Sequence, residues 1–457
     1  MTTQEKIEDI EGKIDVNTIT VEKFGRVFQI YPWLRSKILY KEQTGTETLQ
    51  KKTIGLLFRQ VLSVFYGCWN LFSKNEIWAF TNSTERRLVN GKYYDKLFDY
   101  IGNECGKKML LIELRLFTYY PYRKIASKRA VSKSIFILLE EFYSRFILRL
   151  PKITNEEVLV ELNLQFESSI SQKEIIKKYL SQYRMMRFWL KVLPNPKVVY
   201  VSVSYTNFGY IRAFNEKGIQ VVEFQHGLIT SNHSAYWYKQ SFDPVQFPDQ
   251  IVTVGEQELN VFGNGNAFPV KDVIPVGSFI LDHYSDKDEK SYFSQPLRVL
   301  FALQDTAIGD KFASFIADLS EQINSIEIIV QTRRTSPEYY LKKYPALHSV
   351  EFSNDSVYAA LIESDVHVTV YSTTAIEALS LGRQNILVNI DGLSVTHLSS
   401  KLKDNPFTKI VDTVPSFIAA IEKIQFIDKR VIQESNRFNI KPGYKHNIQN
   451  FLNRTVE

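Results

Sequence analysis

Runs of consecutive apolar residues, each closed by a polar or small-residue turn, recur along this chain and alternate with stretches of helical spacing. The clearest runs are 199–203, 219–224, 251–254, 297–303, 326–330, 366–370 and 386–389. Near-continuous apolar runs mark strands buried on both faces of a parallel sheet. Segments 205–217, 311–323, 358–363 and 375–381 lie between them and read as helices. This β/α alternation predicts Rossmann-like sheets with right-handed crossovers. Upstream, residues 1–75 read as mostly helical, 76–80 and 107–116 as short strands, and 131–150 and 155–190 as helices. Pro151 closes the first of these two helices, since proline cannot continue a helix interior. The polar stretch 81–87, rich in hydroxyls and then arginines, reads equally as an acceptor or anion loop and as a helix cap.

Size turns this pattern into two domains. A chain of 457 residues exceeds one ordinary core, and the charged, patternless stretch 282–294 is the natural boundary. The expected division is 1–285, 295–430 and a closing helix over 431–457. With 44% hydrophobic and 23% charged residues the composition is globular. No apolar run reaches the roughly 20 residues that span a bilayer. The polar, partly acidic start has no signal-peptide pattern, so a cytoplasmic location is expected. Cys68 and Cys105 fit neither a zinc pattern nor a disulfide framework, and read as reduced thiols.

The net charge of +6 is unevenly spread. Five basic residues and no acid lie between Arg123 and Lys133, beside Tyr119, Tyr120 and Tyr122. Such a mixture suits an anionic membrane surface; the alternative is a solvated basic helix without a partner. No nucleic-acid-binding module is recognisable.

Two stretches carry candidate chemistry. The run 219–224 stops at Gln225-His226-Gly227, and ligands of open α/β sheets sit at the carboxyl ends of strands. Gly227 permits a sharp turn and a close approach. His226, titrating near neutrality, is the natural general base; Glu223 and His233 would orient it or compete with it. Tyr236 belongs to the polar, aromatic stretch 228–239, a composition suited to sugars and also common in ordinary loops. The second stretch is Tyr371-Ser372-Thr373-Thr374 with Glu377 and Gly382. Small hydroxyl residues between a buried strand and a helix start suit a phosphate or diphosphate, and Glu377 could accept from a ribose diol. The bland alternative is a capped helix with a surface glutamate. Arg333 and Arg334 end the preceding strand, either as a second clamp on phosphate oxygens or as plain surface arginines. Asp286 and Asp288 have an Asp-x-Asp spacing but lie in what reads as a solvated linker, so no metal site is expected. No Gly-rich phosphate loop, dinucleotide fingerprint or nucleophile elbow is present.

On these residues the chain resembles GT-B glycosyltransferases, particularly those of bacterial capsule and other surface polysaccharides such as lipopolysaccharide. The likeness is clearest over 199–276 and 297–389. Ser372-Thr373-Thr374…Glu377-Ala378…Gly382 is similar to the family's nucleotide-binding turn and ribose-binding glutamate. Glu223-Phe224-Gln225-His226-Gly227 is similar to the acceptor-side histidine element of capsule enzymes. The resemblance implies an α/β GT-B fold, two Rossmann-like domains facing a cleft, with a helical N-terminal extension. The first domain would receive the acceptor, the second would bind the nucleotide-sugar, and the last helix would pack back across the cleft. It also implies metal-independent transfer of a sugar to a glycan or lipid-linked acceptor, with the nucleotide-sugar as co-substrate and no other cofactor. Gln225, Gly227, His233 and Tyr236 would line the acceptor site, and peripheral contact with the cytoplasmic face of the inner membrane would suit such an acceptor. Two departures bear on the donor. Gln331-Thr332-Arg333-Arg334 stands where CMP-sugar enzymes often carry a His-Pro element. Gln225 and Leu228 flank His226-Gly227 where polyol-phosphate transferases show Trp-His-Gly-Thr. Both point away from CMP-sugars and CDP-polyols, towards UDP-, dTDP- or GDP-sugars. A nucleotide-sugar 2-epimerase and a non-catalytic glycan-binding scaffold remain as rival readings.

Overall fold

A computed structural model of the protein describes residues 3–44, 54–115, 120–165, 171–230, 233, 235–263, 265–288, 290, 292–304, 306–333 and 335–455. Two compact units make up the chain, Met1–Val276 with Lys445–Glu457, and Gly277–Tyr444.

The first unit is built on a seven-stranded sheet. Its strands are β1 (Ile77–Asn82), β2 (Met109–Leu114), β3 (Ala130–Ser132), β4 (Val198–Val201), β5 (Gln220–Phe224), β6 (Gln250–Thr253) and β7 (Asp272–Pro275). They lie in the order β7-β6-β5-β4-β1-β2-β3, with every neighbouring pair parallel. Val198–Val201 is buried at all four positions, as a central parallel strand with helices on both faces requires. Val199, Val221, Phe80 and Ile112 anchor the core together with Tyr179 and Met186 of the helix Gln172–Val192.

The second unit carries β8 (Leu297–Ala302), β9 (Ile326–Gln331), β10 (Glu351–Phe352), β11 (Val366–Thr369), β12 (Gln384–Val388) and β13 (Thr408–Val411). Their order is β10-β9-β8-β11-β12-β13, again parallel throughout. A separate core around Phe301, Phe312, Val368 and Phe417 holds it. Both sheets reverse direction of winding once, between β1 and β4 in the first unit and between β8 and β11 in the second. Loops leaving the carboxyl ends of those strand pairs diverge, which opens a crevice suited to a ligand.

Several expectations change. The first 75 residues are not all helical: Thr20–Lys23 and Arg26–Gln29 form a hairpin, and Ile153–Thr154 adds a third antiparallel strand. Phe24 and Gly25 both take positive φ, 56° and 70°, the geometry of a tight two-residue turn. Residues 81–87 start no helix. Ser83–Glu85 is a single 3-10 turn leading into a second hairpin, Arg86–Val89 with Lys92–Asp95. Arg86 turns inward to ion pairs with Glu113 and Asp99, so its charge is not offered to an anion. The stretch 282–294 is not a solvated linker either. It begins inside the helix Phe279–Ser285, and the buried Asp288 pairs with Arg383 at 2.9 Å. The divide between units therefore falls at Val276-Gly277. The segment 431–457 is not one helix. Lys429–Ser435 is followed by Asn436, which donates to the Ile376 carbonyl at 2.8 Å in the second unit. Tyr444–Thr455 supplies Phe451 to the first unit, against Tyr200 and Phe224 at ring distances of 6.3 and 6.0 Å.

Candidate functional site

In the first unit three loop segments converge at the crevice between β1 and β4. His226 follows β5, Ser202 to Tyr205 follow β4, and the turn Ser83–Glu85 follows β1. The half-buried His226 ring lies 6.3 Å from Tyr205, whose ring is 6.0 Å from both His233 and Tyr236. Burial lowers the His226 imidazole below its ordinary value, and Lys96 acts in the same sense. The Glu85 carboxylate and a hydrogen bond to the Ser202 backbone pull it back up. Nδ1 of His226 has no hydrogen-bond partner among the described residues. Nδ1 is also buried, so a substrate hydroxyl reaches it only if the surrounding side chains leave room. A neutral imidazole with a bare nitrogen can take a proton from a hydroxyl.

Sequence reasoning missed Glu85. Burial alone would raise its carboxyl, but Lys96, with Nζ 3.1 Å away, together with His226 and Arg87, holds it below the ordinary range. It is an ionised carboxylate fixed by a lysine and near enough to the imidazole for each charge to shift the other. The only sequence signal was the polar loop beyond β1, which did not say which side chain would turn towards His226.

The other predicted residues of this unit divide clearly. Glu223 is fully buried, and its Oε1 accepts from Tyr236 Oη at 2.7 Å and Ser204 N at 3.0 Å. Burial raises this carboxyl to about 7 in spite of those bonds. Tyr236, 1% exposed, is thus a strut beneath the site and not a surface for a sugar. Gln225 is also spent on structure. Its amide donates to Gly227 O and Glu258 Oε1 at 2.9 and 3.1 Å and accepts from Val254 N at 2.8 Å, tying the end of β5 to that of β6. Gly227 has no positive φ, so the sharp-turn argument fails there. Open space surrounds its missing side chain, so the room for approach is real. His233 lies within the cluster, 4.8 Å from the Tyr236 ring, and burial brings it down to about 4. It stays neutral at physiological pH.

The N-terminal elements brace this same loop. Arg35 pairs with Glu11 at 2.7 Å, both side chains almost wholly buried, and donates to Trp237 O at 2.9 Å. Glu11 accepts from Lys239 N at 3.0 Å. Gln240 donates to the backbone carbonyls of Glu11 and Ile14. Residues 237–240 are clamped by Glu11, Ile14 and Arg35, a link that no sequence pattern reveals.

In the second unit the crevice between β8 and β11 is flanked by Gln304 and by Tyr371-Ser372-Thr373. Ser372 Oγ accepts from Thr374 N at 3.3 Å, so the helix Thr374–Ser380 starts with one amide already capped. That helix has only seven residues, and its dipole is correspondingly small. Thr373 is exposed. Thr374 Oγ1 and Oε1 of the 8%-exposed Gln304 are buried without a hydrogen-bond partner among the described residues. Unpaired polar atoms at such a place are costly unless a ligand or water meets them. Glu377 is half-buried and fixed by Tyr358 Oη at 3.1 Å, and Tyr358 stacks on Tyr284 at 5.6 Å. Gly382, with φ 72°, closes the helix where a side chain would strike Lys429. Arg333 is exposed beyond the end of β9; Arg334 lies outside the described residues. The two units thus each place their candidate side chains at the carboxyl ends of parallel strands that flank the reversal or lie next to those that do.

No protein-family model and no curated protein matches the chain. Solved structures do. The glycotransferase of kitacinnamycin aligns at TM-score 0.50 and 12% identity, over 84% of this chain and all of that one. A UDP-N-acetylglucosamine 2-epimerase aligns at 0.49 and 11%, over 84% and 96%. MurG of Acinetobacter baumannii aligns at 0.47 and 12%, over 83% and 99%. What is shared at such identities is the fold: an α/β, two-domain GT-B architecture.

Proposed function

We propose that this protein is a glycosyltransferase that moves a sugar from a nucleotide-sugar to a hydroxyl of a glycan or lipid-linked acceptor, in the assembly of a surface polysaccharide. The observation that carries the reading is His226: an imidazole whose buried Nδ1 has no partner among the described residues, at the crevice of the first sheet and within electrostatic reach of the Glu85 carboxylate. In this reading the acceptor hydroxyl gives its proton to Nδ1 as its oxygen bonds to the anomeric carbon. The bond from that carbon to the donor diphosphate breaks, and the electron pair leaves with the nucleotide. Glu85 stabilises the imidazolium that forms, while Tyr205 and His233 shape the acceptor side.

The second unit takes the donor. Ser372, Thr373 and Thr374 would meet the diphosphate, Arg333 would add charge, and Glu377, oriented by Tyr358, would accept from the ribose. Glu223, Gln225 and Tyr236 hold the histidine-bearing loops in place instead of touching substrate. A UDP-, dTDP- or GDP-sugar is the proposed donor class.

The test is His226→Ala with a nucleotide-sugar donor and a glycan acceptor. Transfer should fall by at least a hundredfold while nucleotide affinity changes less than twofold. Undiminished transfer would refute the role of His226. Isomerisation of the nucleotide-sugar without acceptor or nucleotide release would replace transfer by epimerisation.

A further inference from the structure

The segment covering the open edge of the first sheet exposes an unusual number of large apolar side chains. Helix Ile54–Ser63 and the chain that follows it to Phe72 lie over β3, the outermost strand. Ser132 N donates to Tyr66 O at 3.2 Å, and Asn70 Nδ2 donates to Ala130 O at 3.0 Å. Gly67, with φ 64°, brings the backbone so near that a Cβ would sit 1.9 Å from Ala130 O.

Within this tightly held segment several polar side chains are buried, as are Tyr66 and Leu71, while Arg59 stays exposed. Gln60 and Ser63 are 2% and 8% exposed, and Ser63 Oγ lies 2.7 Å from Ser134 Oγ. Five large apolar side chains point outward: Phe58, Leu62, Phe65, Trp69 and Phe72 are between 53% and 72% exposed. The neighbouring helix Ser134–Phe142, against which Ile54–Ser63 packs, buries Phe136 and Glu140 but adds to the outward apolar surface at its end. Phe142 and, in the turn beyond it, Phe146 are exposed with rings 5.2 Å apart. A surface helix of a water-soluble domain keeps its large apolar side chains mostly inward, and contiguous exposed apolar surface of this kind marks an interaction site.

The charge around the patch identifies the partner. Between residues 54 and 75 the only charged side chains are Arg59 and Lys74. The turn Tyr122–Lys124 docks beside them, with Tyr122 Oη accepting from Asn70 Nδ2 at 3.1 Å and its ring 6.0 Å from Trp69. This leaves Arg123 and Lys124 exposed, and Arg145 and Arg149 are exposed in the segment beyond Phe142. Glu141 is an exposed acid beside Phe142, but the cations outnumber it, and an aromatic and aliphatic centre bordered mainly by arginine and lysine is complementary to an anionic lipid bilayer. Phe and Trp enter the headgroup–acyl boundary, and the cations meet lipid phosphates. No helix among the described residues is long and apolar enough to cross a membrane, so this contact is peripheral.

We propose that this face of the first unit docks on an anionic bilayer through Phe58, Leu62, Phe65, Trp69 and Phe72, flanked by Arg123 and Lys124. The inference stands on the surface alone and does not depend on the chemistry assigned to His226.

The test is flotation of the full chain with vesicles of phosphatidylcholine alone and of phosphatidylcholine with phosphatidylglycerol. The chain should float with the anionic vesicles at least tenfold better than with the neutral ones, and less so as salt rises. Phe65→Ser with Phe72→Ser should reduce binding at least tenfold while leaving the circular dichroism and melting temperature unchanged, since both side chains are largely in solvent. Arg123→Gln with Lys124→Gln should remove most of the preference for anionic lipid. Absence of flotation with either vesicle, or flotation unaffected by the Phe65/Phe72 pair, would overturn the proposal. So would a dimer in light scattering that the same pair abolishes, which would assign the face to a second copy of the chain.

Discussion

Replacing Glu223 by glutamine removes an ionisable group from beneath the histidine site and keeps its shape. The carboxyl is fully buried, and it titrates near 7 where an unfolded glutamate titrates near 4.5. The folded state thus holds this proton more tightly than the unfolded state. For a carboxyl shifted in that direction, the contribution to stability is greatest at low pH. It is lost as pH rises from about 4.5 to about 7 and is constant beyond. At about 1.4 kcal/mol per pH unit, the ionised protein gives up roughly 3 kcal/mol at this one residue. Glutamine carries no such penalty. Its carbonyl can still accept from Tyr236 Oη and Ser204 N, although its amide hydrogens gain no certain partner. That affects the offset and not the slope. Asp95 and Glu140 are also raised to about 7 by burial, but they are common to both proteins and cancel in the difference. All five tryptophans fall within the first unit, so urea unfolding followed by tryptophan fluorescence reads the relevant unit. Measured from pH 5 to pH 8, the stability of Glu223→Gln minus that of the parent should climb by about 2–3 kcal/mol. A flat difference would refute the buried, proton-holding carboxyl. A large loss of transfer activity in a variant folded at every pH would return Glu223 to the chemistry.

Glu85→Gln removes a charge that raises His226, so the acid limb of the pH–rate profile should move to lower pH while the maximal rate falls. A limb that stays in place would uncouple the two residues. Arg35→Met leaves Glu11 buried without its cation and should cost the first unit about 3–5 kcal/mol in urea unfolding. Adding Glu11→Leu should recover much of that, and a double variant no more stable than the single one would contradict the ion-pair account.

How much of this was legible beforehand follows the physics of each element. Buried parallel strands announce themselves as apolar runs, and every run from 199 to 389 became a strand within two or three residues of its expected limits. The early hairpins were missed because their signals are two-residue turns, Phe24-Gly25 and Asn90-Gly91, set among ordinary charged sequence. Hydroxyl-rich turns at strand ends were readable as positions, since topology alone puts them at the ligand edge. What those side chains touch was not. Whether Glu223, Gln225 and Tyr236 face a substrate or one another depends on contacts between segments distant in sequence. So do the approach of Glu85 to His226 and the clamp of Glu11 and Arg35 on residues 237–240. The outward apolar side chains of helix Ile54–Ser63 were hidden for another reason. The helix's spacing is amphipathic, and only the fold shows which side meets water.

The central claim, a nucleotide-sugar site in the second unit serving a base in the first, is tested most directly by nucleotide binding. The melting transition should be followed with UDP, GDP, dTDP, CMP and CDP, for the parent, Glu377→Ala and His226→Ala. A ligand that binds only the folded state stabilises it by about 2.7 kcal/mol at a hundredfold excess over Kd. The account predicts that UDP, dTDP or GDP raises the transition, that Glu377→Ala abolishes the rise, and that His226→Ala leaves it intact. No rise with any nucleotide, or a rise that Glu377→Ala does not diminish, would contradict it.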